Sequence, residues 1–412
     1  MAMPGGPAAA RWRSGRLPHR GSRARRLSTL ACGTLLLTLL SACREDVQLL
    51  PARDGGVDAT PDVGSDGTVP SSDAGTDGTV VGPGSWTETG SLSVGRGEHT
   101  AVLLAGGEVL VFGGWNKTAS LVEAERYVPS TGSWRLTGPL SQPRVAHAAA
   151  LLPSGRVLAA GGSGAPATYE IYDPVGETRS EVAFAPLIAI QYAAAPLTDG
   201  AVLAGPEANY LFVEATEEWA PVGLLAEPRG APTATVLAAT AVLFVGGTGR
   251  EDGVPSAAAD VYDPRTRAFT PTGPLTQARA GHTATVVTGG RVLVVGGRRD
   301  TGGLAQAEVY DPDAQTFGPA ASPTILRYEH TATLLRSGRV LVVGGTGPQG
   351  SLASVEIYSP RTDTWSAGAP LHHARTGHSA TRLLDGRVLV VGGYGPDPAA
   401  TAELFTEEGG LD

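Results

Sequence analysis

Lysine occurs once in the 412 residues, at position 117, and cysteine twice, at positions 32 and 43. With both cysteines so close to the N-terminus, the rest of the chain can hold neither a disulfide nor a thiol-based centre. Charged residues are 17% of the chain, below the usual ~25%. The net charge of −9 argues against a general nucleic-acid binder. No apolar run reaches the ~18 residues of a membrane-spanning helix, which excludes a polytopic membrane protein. What is abundant is glycine, 57 residues or about twice the usual ~7%, and proline, 31 residues. Together with 42% hydrophobic residues they describe a chain of many turns that is still able to build a core. Its length alone would suggest two or three domains, a rule that internal repeats override.

The N-terminus carries Arg11, Arg13, Arg16, Arg20, Arg23, Arg25 and Arg26 without one acid, followed by an apolar stretch from Leu27 to Ala42. A positive segment before a short hydrophobic one reads as a secretory signal peptide over 1–42. The stretch ends Leu40-Ser41-Ala42-Cys43, which resembles the lipobox of bacterial lipoproteins. That resemblance implies a diacylglycerol thioether on Cys43 and export to the cell envelope. The alternatives are an ordinary signal cleaved near Ala42 and an uncleaved anchor; Arg25-Arg26 adds a weak twin-arginine signal. Removing the seven arginines leaves 24 basic against 40 acidic residues, a mature charge of −16.

Residues 43–84 follow as an acidic linker. Beyond Cys43 they include seven aspartates, eight glycines, four prolines and no aromatic, too little apolar surface to fold. Asp54, Asp58, Asp62 and Asp66 recur every four residues, which is not the alternating spacing of a calcium loop. A flexible spacer holding a domain away from a membrane is the expectation.

From Ser85 the chain repeats. A β-rich run ending in Gly-Gly recurs at Gly113, Gly161, Gly246, Gly296, Gly344 and Gly392, with a worn copy, Gly-Ala-Val-Leu-Ala-Gly-Pro, at Gly205. The intervals run from 41 to 50 residues. Each unit opens with R-x-x-H and a strand, passes through the Gly-Gly strand and a variable loop, and continues into E-x-Y-D-P, as in Glu308 to Pro312. It closes on a strand led by Trp134, Trp219, Phe269, Phe317 or Trp365. β-branched and apolar runs punctuated by Gly and Asp-Pro give four short antiparallel strands per unit.

The order Gly-Gly, E-x-Y-D-P and Trp resembles the kelch repeat, whose period is ~50, and the resemblance spans 85–408. It implies an all-β propeller of seven blades, or six if the worn copy (188–219) is absorbed irregularly. The last unit lacks its aromatic strand, whereas the chain begins with an unmatched one at Ser85 to Gly90. That N-terminal strand is expected to complete the last blade and close the ring. Residues 409–412 are a tail.

Arg96 and His99, Arg144 and His147, Arg279 and His282, Arg327 and His330, and Arg375 and His378 occupy one repeated position. Recurrence in five units marks a framework feature; a metal or anion site at the channel mouth is the alternative. Copy four keeps Arg229 but has Pro232 at the histidine position, and copy three has neither residue. His372 and His373 read as solvated loop residues. The variable loops 115–121, 163–168, 248–258, 298–305, 346–353 and 394–401 all emerge on one face, where binding usually resides. Trp115, Asn116, Lys117, Arg298, Arg299 and Tyr394 are its partner-binding candidates.

The strands are also similar to the propellers of galactose and glyoxal oxidases, whose copper radical site needs a Tyr–Cys crosslink that a chain without a cysteine beyond 43 cannot form. The bacterial kelch-type sialic acid epimerases imply an enzymatic alternative, but no single Glu/Arg pair stands out for it. No cofactor or metal is expected. The reading is a lipid-anchored envelope module that binds a protein or glycan and no nucleic acid.

Overall fold

The computed structural model describes residues 82–408, apart from 166, 181, 185–190, 238–240, 251 and 397–398. The expected signal peptide 1–42, Cys43, nearly all of the linker 43–84 and the tail 409–412 lie outside the described residues.

The Val-Leu-Val-Val runs before each Gly-Gly are buried on both faces, because each is the second strand of a four-stranded antiparallel sheet with neighbours stacked above and below. Seven such sheets, here blades 1 to 7, are arranged around a ring. Their innermost strands are Thr100–Leu103, Ala148–Leu151, Ala193–Leu197, Thr233–Val236, Thr283–Val286, Thr331–Leu334 and Ser379–Arg382. Each packs beside the next, and the last returns to the first. Among the described residues there are seven apolar clusters, each bridging two neighbouring blades, so the core is a circle of interfaces. This is a seven-bladed β-propeller. The six-bladed alternative is excluded, since the worn copy forms a full blade 3 from Ala193–Leu197, Gly200–Ala204, Tyr210–Val213 and Glu218–Pro221.

The ring closes as the sequence predicts. Ser85–Thr89 pairs antiparallel with Ala402–Thr406, Ser85 opposite Thr406 and Thr89 opposite Ala402, and becomes the outer strand of blade 7. The Trp86 ring lies 5.2 Å from that of Phe405, and its indole N–H donates to the Ala369 carbonyl at 2.8 Å. Trp134 and Trp365 make the equivalent bond to Gly90 and Ala321, so an outer-strand tryptophan fastens its blade to the one before.

One feature differs from the sequence expectation. Blade 2 has Arg179 in place of the aromatic opposite Tyr172 of its third strand, Thr168–Asp173, and its outer edge is split into Thr178–Arg179 and Ala183–Phe184, where Phe184 is exposed. The variable loops of blades 5 and 6 contain two-residue ribbons, Arg298–Arg299 with Gly302–Gly303 and Thr346–Gly347 with Gly350–Ser351.

Candidate functional site

The recurrent arginine is completely buried in six blades and never reaches solvent. Arg96 meets Glu125 at 2.8 Å and also donates to the carbonyls of Gly113 and Glu123, tying the second strand of its blade to the third. Arg144–Glu170, Arg229–Asp260, Arg279–Glu308, Arg327–Glu356 and Arg375–Glu403 repeat this ion pair. The carboxylates also accept backbone N–H groups from the connection arriving from the previous blade, such as Ser93, Thr276 and Thr324. A buried charge pair whose two members also bond the backbone around them is a structural clamp, committed within the sheet.

The recurrent histidines link neighbouring blades. Nε2 of His99, His282, His330 and His378 shares a hydrogen bond with the hydroxyl of Ser379, Thr233, Thr283 and Thr331, each the first residue of the preceding blade's inner strand. Both ring nitrogens of His147 lack a partner. Burial, and then the neighbouring arginines, lower His99, His147 and His282 to about 3 and hold His330 and His378 well below the ordinary value. These rings explain the Gly-Gly motif. At Gly113, with φ +65°, a Cβ would lie 2.6 Å from the Arg144 carbonyl and 2.9 Å from His147 Cε1. Among the described residues no group of three or more His, Cys, Asp or Glu is placed to hold a metal ion.

The loop face is set by bridges between the residue after each repeated arginine and the residue after Gly-Gly: Gly97 with Trp115, Ala280 with Arg298, Tyr328 with Thr346, and Thr376 with Tyr394. Trp115 and Tyr394 therefore start their loops half-buried at the rim. Their rings meet edge-on at 6.2 Å, and the Tyr394 hydroxyl donates to the Trp115 carbonyl. Lys117 Nζ reaches the Pro396 carbonyl at 2.5 Å, so the loops of blades 1 and 7 form one patch. Asn116 is spent inside its own turn, its Oδ1 accepting the N–H groups of Thr118 and Ala119 and the Thr118 hydroxyl. Arg298 and Arg299 lie apart from this patch on blade 5, Arg298 half-buried and Arg299 exposed. His372 and His373 each contact a carboxylate, Glu403 at 2.8 Å and Glu88 at 3.1 Å, so they are less free than the sequence predicts.

Inside the rim lies a feature the repeat pattern hides. The residue just before each repeated-histidine position is Glu98, Ala146, Gln191, Ala231, Gly281, Glu329 and Gly377 in blades 1 to 7, and all seven have φ between +47° and +65°. Backbone hydrogen bonds run between them around the channel mouth, from Ala146 to Glu98, Glu98 to Gly377, Gly377 to Glu329, Glu329 to Gly281, and Ala231 to Gln191. Left-handed backbone is uncommon outside glycine, yet two glutamates hold it here, flanking Gly377. Burial, and then Glu329, raises the Glu98 carboxyl to about 7; burial likewise raises Glu329 to about 7, against the Thr376 hydroxyl and the charge of Arg298. Burial and the two glutamates together push the Tyr394 phenol up. The sequence signal was present: where the other units have Ala, Gly or Gln before the His position, units one and six have Glu.

The kelch motif matches residues 97–141, 279–324 and 330–372, which contain the four strands of blades 1, 5 and 6. No curated protein gives a significant match to the chain. Kelch propellers commonly bind proteins, and the fold suggests a protein-binding or scaffolding module. Three motif matches on a closed ring of seven four-stranded sheets make the chain a seven-bladed kelch-repeat β-propeller.

Proposed function

We propose that the chain is an exported module, lipid-anchored through Cys43, that captures a protein or glycan partner of the cell envelope on its loop face. The observation that carries the binding role is the rim patch of Trp115, Lys117 and Tyr394, an aromatic and cationic surface assembled from two blades on a rigid ring. Aromatic and arginine side chains in such settings act as anchors. Trp115→Ala and Arg298→Ala are each expected to weaken capture of a partner from envelope extract by roughly tenfold or more, the scale of an interface anchor. Identification of the bound species and titration against the purified partner check this; unchanged capture by both variants overturns it. The anchor has a separate test. Cys43→Ser should move the protein from the membrane to the soluble fraction, and unchanged fractionation counts against acylation.

A second reading rests on one observation. Two recessed carboxyls held near 7 at the channel mouth suit proton transfer to and from a bound sugar, as in the epimerase alternative. Turnover of sialic acid and related sugars by the purified protein, abolished by Glu98→Gln, would establish it.

A further inference from the structure

The side chains of Glu98 and Glu329 belong to none of the repeated interactions. Each stands at a strained backbone position in the ring around the channel mouth, on either side of Gly377, the one residue between them in that ring. A Cβ at Gly377 would stand in ordinary contact with the Tyr394 ring, at 3.5 Å, and with Glu98 Cγ, at 4.0 Å, so Tyr394 and Glu98 pack beside this glycine. The left-handed backbone is common to all seven blades, but only blades 1 and 6 place a carboxylate on it, where the others carry Ala, Gln or Gly.

The pair is wired to the loops. Glu329 Oε2 accepts the Thr376 hydroxyl at 3.1 Å, and Thr376 Oγ1 shares a 2.8 Å hydrogen bond with Thr346, the first residue of the blade 6 ribbon. At the other end of that ribbon Ser351 donates to the Tyr394 carbonyl at 3.0 Å, and Tyr394 holds Trp115. A hydrogen-bonded path therefore runs from the carboxyl pair through the blade 6 ribbon to the loops of blades 7 and 1.

We propose that Glu98 and Glu329 form a proton-operated clasp at the channel mouth, which holds the loops of blades 6, 7 and 1 together while the pair retains a proton and loosens them when both carboxyls are ionised. The titratable and charged groups facing the pair are Tyr394 of blade 7, Tyr328 beside Glu329 in blade 6, and Arg298 of blade 5. The phenols stay neutral through the relevant range. Arg298 eases the second ionisation but faces only the Glu329 side, so Glu98 meets Glu329 without a countercharge of its own. Two like charges on either side of one glycine repel, and the repulsion reaches the ribbon through the hydrogen bonds of Glu329 to Thr376 and of Thr376 to Thr346. The clasp regulates the rim patch and takes its purpose from the binding role proposed above; its mechanics do not depend on that role.

The test is amide hydrogen exchange of the unliganded full chain from about pH 5.5 to about pH 8.5, bracketing the value of about 7, after correction for the intrinsic pH dependence of exchange. Protection of the amides of 346, 347, 349–351, 394 and 395 is expected to fall about tenfold across this range while the inner strands stay protected. The Glu98→Gln, Glu329→Gln double variant should hold constant protection. A flat profile in the wild-type chain, or a transition that survives in the double variant, overturns the clasp. If the double variant does not fold, carboxyl ¹³C titration of the wild-type chain decides: both glutamates titrating in the ordinary carboxylate range would overturn it. Because no partner is present, a failure here is distinct from a failure of the capture experiment.

Discussion

In blade 6 the Arg327 guanidinium joins Glu356 at 2.9 Å and the carbonyls of Gly344 and Ser354, His330 bonds back to blade 5, and Trp365 reaches the Ala321 carbonyl. Blade 3 has none of these. Tyr192 stands at the histidine position, Tyr210 at the acidic position, and Gly205-Pro206 replaces Gly-Gly. Its acceptors and donors are met by Asn209, which takes the Gly205 N–H and gives to the Gly223 carbonyl, while Tyr169, Tyr210, Phe212 and Trp219 fill the space with rings. Both members of the ion pair are missing together, as expected when either alone would leave a buried charge. The Trp219 indole N–H lacks a partner, and the blade before it is the one whose outer edge is split. The sheet itself is therefore specified by apolar strands and ring packing; the clamp is one of at least two ways to tie it.

Acid should separate the two kinds of blade most strongly. The five histidines are near 6.5 when unfolded; folded, His99, His147 and His282 are lowered to about 3 and His330 and His378 well below 6.5, so the native state refuses protons that the unfolded chain accepts. Their contribution is intact above about 6.5 and is lost as pH falls toward 3. Glu98 and Glu329 act in the opposite sense, held at about 7 against 4.5, so their contribution is lost as pH rises from 4.5 to 7. Five groups outweigh two, and urea midpoints should fall steeply below about pH 6. A midpoint that does not move between neutral pH and pH 4 would contradict the buried, neutral histidines.

Next in size is the clamp. Arg327→Ala leaves Glu356 buried without its partner and should cost about 3–5 kcal/mol in urea unfolding. Replacing the pair together, Arg327→Met with Glu356→Leu, imitates blade 3 and should recover at least half of that loss. A double variant as unstable as the single one would show that blade 3 is a special case. The smallest effect concerns the Tyr262 hydroxyl of blade 4, which is buried without a partner. Tyr127, Tyr172 and Tyr310 find Thr89, Thr137 and Thr272 on the preceding outer strand, where blade 4 is offered Val222. Val222→Thr should stabilise the protein by about 1 kcal/mol, seen as a higher urea midpoint.

Blade order, the Gly-Gly strands and the closing N-terminal strand were legible because each is written in a local run that recurs. The partner of the repeated Arg was not, because the carboxylate lies 29 residues on, as in Arg96 and Glu125, brought near only by two strand reversals. Glu98 and Glu329 escaped notice for the opposite reason. A repeat draws attention to what recurs, and these are departures from it, at a position where backbone conformation rather than side-chain chemistry is shared. Of the loop candidates, Asn116 turned out to be occupied in its own turn, which short-range spacing alone cannot distinguish from an available side chain.

The pairing of Ser85–Thr89 with Ala402–Thr406 also has a consequence in time. A ribosome makes the first of these strands long before the second, and throughout elongation blade 7 has no outer edge and blade 1 no finished neighbour. The earliest segment of the propeller waits for the latest, so any chain stopped short of residue 402 leaves an unsealed circle with a vacant edge for chaperones or proteases to recognise. Completion of synthesis is thereby built into the architecture as a condition for a closed ring.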